Sequence, residues 1–211
     1  ACTIQQMAMC EALVENDAAV TLIYPRYFDA PKLADSEILD FYSVEKEFRL
    51  KTLPSLLSLS KPLVDGKKRI HVPVIGGLSV LFSGWALALK MLLSGALDQP
   101  TIIYSRSVNI AYAFYALKKS VARKKPIIIA FEVHSLDQQT PKKYFHALLR
   151  NADALVCISH ALKTALIEKM GSPPEKICVA PDGVKKSFLA TENNKQNARE
   201  TLGLPDKRIV L

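Results

Sequence analysis

Three short runs of β-branched and apolar residues, each set between helical patterns, constrain this chain more than any other feature. They are 127–132 (IIIAFE), 154–159 (ALVCIS) and 177–180 (ICVA). An unbroken apolar run of strand length marks a strand buried on both faces of a parallel sheet. Residues 19–24 (AVTLIY) and 101–104 (TIIY) read as further short strands, while 48–53 (FRLKTL) alternates as a half-buried strand does. Strand and helix alternate from end to end. The fold class is therefore α/β, a parallel sheet with helices on both faces.

The helices have recognisable ends and faces. Met7, Cys10, Leu13 and Val14 give residues 3–15 an amphipathic stripe. In a doubly wound fold a strand and a glycine-rich turn precede such a helix. Neither is present, so a first strand is expected upstream of Ala1. Residues 28–42 read as a surface loop or a short helix, and 107–122 as a helix. Thr140 with Pro141 is a strong helix start, and Tyr144, Phe145, Leu148 and Leu149 form the buried face that follows. Ser159 caps the next helix, which turns Leu162, Leu166 and Met170 inward and stops at Gly171.

Residues 72–89 carry no charge, a length that approaches a membrane span. Pro73, Gly76, Gly77 and Gly84 interrupt the run and Lys90 follows it, so it reads as a buried helix beginning around Leu78. Val80, Leu81, Phe82, Trp85 and Leu89 leave an interfacial role open. The net charge of +8 argues for anionic surroundings, such as phosphorylated ligands or acidic headgroups. Clusters at Lys67, Lys68 and Arg69, at Lys118 and Lys119, and at Arg123, Lys124 and Lys125 fit contact with an anionic inner leaflet. Solvated helix faces and the negative end of a helix dipole explain the same charges. Basic motifs interleaved with aromatics are missing, so no nucleic-acid partner is expected. Cys2, Cys10, Cys157 and Cys178 include no C-x-x-C pair. That disfavours zinc and dithiol chemistry, and the thiols read as reduced core groups of a cytoplasmic protein.

Ligand sites of open α/β sheets lie beyond the carboxyl ends of the strands, and this directs the search for chemistry. His134 stands two residues past 127–132, in the crevice position. It is either a functional imidazole or a loop histidine bonding a backbone carbonyl. Glu132 at the same edge either orients a sugar hydroxyl or makes a structural hydrogen bond. Arg106 follows the 101–104 strand, where its planar fork suits a diphosphate or a surface salt bridge. Asp182 and Gly183 leave the last strand in a tight turn, and Gly183 would permit a positive φ or a close backbone approach. No G-x-G-x-x-G, P-loop or G-x-S-x-G motif is present, which disfavours dehydrogenase, NTPase and hydrolase chemistry. No metal-ligand spacing occurs either.

The order and spacing of QQMAMCEALVENDAAVTLIYPR, IIYSRS, FEVHSL, ADALVCISHALKTAL and ICVAPDGV resemble the N-terminal domain of a GT-B glycosyltransferase, of the retaining family-four group. The resemblance implies two Rossmann-like domains across a cleft, the first receiving the acceptor and the second gripping a nucleotide-diphosphate sugar. Residues 1–206 would be the first domain, lacking its first strand, and 207–211 the opening of the second. His134 matches the family histidine near the donor sugar and diphosphate, Glu132 the acidic residue before it, and Arg106 a basic strand-end position. Asp182 and Gly183 match the interdomain Asn-Gly-Val-Asp turn, with Asp182 in place of Asn and Lys185 in place of the final Asp. Sugar transfer with retention to a polysaccharide or glycolipid acceptor, without metal or other cofactor, is the implied activity. A sugar-nucleotide epimerase of the same fold and a catalytically silent binding domain are the alternatives.

Overall fold

A computed structural model describes residues 2–26, 33–54, 73–136, 142–183, 195–203 and 205. The Thr140–Pro141 helix start, the 67–69 basic cluster and the 207–211 strand lie outside the described residues. Helix α1 (Cys2–Glu15) leads to β1 (Thr21–Arg26), α2 (Asp35–Phe41) and β2 (Arg49–Pro54). Then come α3 (Pro73–Leu93), β3 (Thr101–Ser105), α4 (Val108–Ser120) and β4 (Ile127–Val133). The chain continues through α5 (Lys142–Asn151), β5 (Ala154–Cys157), α6 (His160–Met170), β6 (Ile177–Val179) and α7 (Lys195–Thr201).

Every strand pair described is parallel, in a two-stranded sheet β1-β2 and a four-stranded sheet β3-β4-β5-β6. In the larger sheet the strands follow one another in sequence order. Right-handed crossovers then place α4, α5 and α6 on a single face. That face carries the main core: Ile129, Phe131, Val133, Leu155 and Cys157 are fully buried against Phe114, Leu148 and Leu166. The opposite face is covered unequally. Glu132 and Ala130 are buried toward the carboxyl edge, whereas Ile128 is 47% and Ile102 66% exposed. The expectation that β4 is buried on both faces therefore holds for its second half alone. Cys178 shares that open face and is exposed, not a core thiol.

Two boundaries and two buried faces depart from the sequence reading, each for a physical reason. The strand read as 19–24 runs to Arg26, through Pro25. Proline is tolerated because β1 has one edge without a strand partner among the described residues. Helix α3 begins at Pro73, not near Leu78, since proline fits the first helical turn. It is also far from buried on all sides. Gly84 and Ala88 face the core, and a Cβ at Gly84 would lie 3.1 Å from Ile110 Cδ1. In α1, Leu13 is 41% exposed and Glu11 takes an inward place instead. The Glu11 carboxylate accepts from the backbone N–H groups of Glu45, at 2.5 Å, and Lys46, at 3.2 Å. The Ser159 cap and the left-handed Gly171 stop (φ 64°) stand as read.

Candidate functional site

The register of β3 on β4 builds the site. Tyr104 pairs with Ala130 and Ser105 with Phe131, so Tyr104, Arg106 and Glu132 share one face of the sheet. They meet at its carboxyl edge. Glu132 Oε2 accepts from Tyr104 Oη at 2.6 Å and from Arg106 Nε at 2.8 Å. Glu132 Oε1 lies 2.5 Å from His134 Nε2. Arg106 Nη1 donates in turn to Gln5 Oε1 of α1 at 3.1 Å. Ser107 then caps α4, its Oγ accepting from the backbone N–H of Ile110.

Both oxygens of Glu132 are thus engaged, and its side chain is only 4% exposed. Burial alone would raise its pKa. The hydrogen bonds from Arg106, Tyr104 and His134, with the guanidinium charge, outweigh burial and hold it below its ordinary 4.5. Tyr104 moves the other way: burial, then the bond to Glu132 and its charge, push its hydroxyl well above its usual value. Glu132 is therefore a fixed anion that positions its neighbours.

The His134 ring is held through Nε2 and is 31% exposed. A carboxylate on one ring nitrogen sets the tautomer and leaves Nδ1 as the nitrogen available to a ligand. Arg106 spends its fork on Glu132 and Gln5, with 16% of its side chain exposed.

Of the residues singled out in the sequence, His134, Glu132 and Arg106 are brought together. Asp182 and Gly183 follow β6 at the same edge, two strands away, and both are exposed. Gly183 shows neither a positive φ nor any atom within 4 Å of a built Cβ. The turn that Gly183 was expected to enable is thus not of the glycine-requiring kind. Two members of the cluster escaped the sequence reading. Tyr104 was visible in principle, because it precedes Arg106 by two and so shares its face. Gln5 was not, because only the placement of α1 brings it there. Among the described residues no group of three or more His, Cys, Asp or Glu side chains is placed to hold a metal ion.

A parallel α/β domain with a carboxylate-held histidine at the strand edge is the class of protein defined here. Residues 6–188 match the model of the family described as Glycosyltransferase Family 4. The match spans most of the chain, which belongs to that family, and the activity class is glycosyltransferase. No curated protein matches the chain.

Proposed function

We propose that this chain is the acceptor-side domain of a retaining glycosyltransferase. It would move a sugar from a nucleotide-diphosphate donor to a glycan or lipid-linked acceptor at a cytoplasmic membrane surface. The observation that carries the reading is His134, locked by Glu132 at the carboxyl edge of the central strand, in a chain of this family.

In this reading the bond from the anomeric carbon to the diphosphate breaks, the acceptor hydroxyl oxygen bonds to that carbon on the same face, and the hydroxyl proton passes to the leaving diphosphate. His134, oriented through Glu132, touches the donor sugar near its diphosphate. With Nε2–H donating to Glu132, Nδ1 is an acceptor suited to a sugar hydroxyl, and the donors that act where charge develops on the leaving diphosphate come from elsewhere in the cleft. A donor-binding domain supplies the main diphosphate clamp, and closing the cleft aligns the reactants. No metal cofactor is required on this account.

The test has two arms. Calorimetry of the isolated chain with a panel of nucleotide-diphosphate sugars should show no tight binding; tight binding would refute the division of labour. In the enzyme carrying this domain with its donor-binding partner, His134→Ala should lower turnover by about 100-fold or more. Fold stability should fall by about 1–3 kcal/mol, because Glu132 Oε1 loses its partner in a nearly closed site, so turnover is compared well below the melting temperature of both proteins. Unchanged nucleoside-diphosphate release in the presence of acceptor would remove His134 from the reaction.

A further inference from the structure

We propose that Tyr104 and Gln5 are positioning residues for His134. Tyr104 joins Arg106 in fixing the plane of the Glu132 carboxylate that holds the imidazole, and Gln5 pins Arg106 to α1. The consequence for turnover rests on the glycosyltransferase reading. The ring itself is measured without any sugar transfer, so either can fail alone.

A carboxylate held by one partner can pivot about that bond, and a histidine bonded to it inherits the freedom. Glu132 is denied the pivot. Its Oε2 takes two donors from the end of β3, Tyr104 Oη at 2.6 Å and Arg106 Nε at 2.8 Å. Its Oε1 lies 2.5 Å from His134 Nε2, just past the end of β4. Partners on both oxygens, from two strands, set the carboxylate plane and with it the direction of the imidazole. Burial and the bond to Glu132 push the Tyr104 hydroxyl well above its usual pKa. It therefore stays protonated and remains a donor.

Gln5 does for Arg106 what Tyr104 does for Glu132. Its Oε1 accepts from Arg106 Nη1 at 3.1 Å, so the guanidinium is held at two points. An amide takes this bond without a competing charge, and the guanidinium keeps its full attraction for Glu132. Helix α1 is itself anchored, because Met7 and Cys10 are buried in the smaller core. Exposure rises along the chain of bonds in the order that positioning requires. The side chain of Glu132 is 4% exposed, that of Arg106 16% and that of His134 31%. The ring is thus the end that opens at the strand edge. An ion pair serving the fold alone would be complete with Arg106 and Glu132. The tyrosine adds a third donor on the oxygen away from the ring, and that donor restricts orientation.

The ring proton reports the arrangement. In the 211-residue chain the His134 Nε2 proton should give a downfield nuclear magnetic resonance, slow to exchange with water and absent in His134→Ala. Tyr104→Phe keeps the aromatic ring, and Arg106 still serves Oε2, so circular dichroism should show the native fold. The resonance should move upfield and its exchange should quicken about tenfold, the weight of one hydrogen bond. Gln5→Ala should act in the same direction to a smaller extent. It leaves every bond to Glu132 in place, so it carries the same measurement if Tyr104→Phe fails to fold. In the enzyme carrying this domain with its donor-binding partner, Tyr104→Phe should lower kcat about tenfold and leave the acceptor KM unchanged. A natural chain without the resonance, or a resonance unchanged in both variants, would overturn the proposal. So would full kcat in Tyr104→Phe where His134→Ala has lost turnover. Full turnover in His134→Ala would instead sink the reading of the reaction, and the ring measurement would still decide what holds the imidazole.

Discussion

The two sheets of this domain are built from the same parallel units, yet they differ in how much core each owns. The four-stranded sheet carries three helices on one face, and most of its inward residues are fully buried. The two-stranded sheet rests on Met7, Cys10, Leu39, Phe48 and Leu50, between 2% and 8% exposed. Two strands alone make a marginal sheet, and both β1 and β3 present an edge without a strand partner among the described residues. The difference teaches that the α1–β2 region is held by few contacts. One of them, Gln5 to Arg106, reaches the candidate site. The order of the site and the stability of the smaller region are therefore linked.

The most direct way to break this comparison is to remove one aromatic from each core. Phe131 is fully buried and packs edge-to-face on Phe145 at 6.0 Å. Phe131→Ala should cost about 3–5 kcal/mol. Phe48 is 8% exposed at the edge of the smaller cluster, and Phe48→Ala should cost about 3 kcal/mol, the low end of the same range. Urea denaturation followed by circular dichroism measures both. Equal losses would mean that the two regions share one cooperative core.

Next in size is the buried carboxylate between the regions. Glu132→Gln leaves Arg106 beside a neutral amide in a nearly closed site, and should cost about 3 kcal/mol. The pH dependence has a definite sign. Because the folded pKa of Glu132 lies below its ordinary 4.5, its contribution is present above that value and is lost as pH falls through the folded pKa. Stability curves from neutral to acid pH should fall more steeply for the natural chain than for Glu132→Gln. Parallel curves would show that Glu132 is not the group that titrates.

How much of this was legible in the sequence follows from the range of the interactions. The alternation of strand and helix, the strand end carrying His134 and the Ser159 cap are local patterns, and local patterns survive in one dimension. The phase of α3 did not, because a helix apolar on every side offers no stripe to read. Nor did the inward turn of Glu11, whose partners lie 34 and 35 positions away. The site was half legible. Arg106 and Glu132 were picked out one by one, but their pairing needed the register of β3 on β4. The contact from Gln5 spans 101 positions, beyond any pattern of spacing.

The finest test of the comparison uses a buried thiol in each region. Cys10 is 4% exposed in the smaller core and Cys157 is fully buried in the larger. Burial pushes the Cys10 thiol up to about 11 and raises that of Cys157 as well. Neither is reactive while its region stays closed. With Cys2→Ser and Cys178→Ser removing the other thiols, alkylation rates then report how often each core opens. Cys10 should label about tenfold faster than Cys157 or more, equivalent to about 1.4 kcal/mol in opening free energy. Gln5→Ala should widen the gap by freeing α1 from Arg106. Equal rates in both backgrounds would mean that the small sheet opens only with the large one, and that α1 does not tie the site to a weaker region.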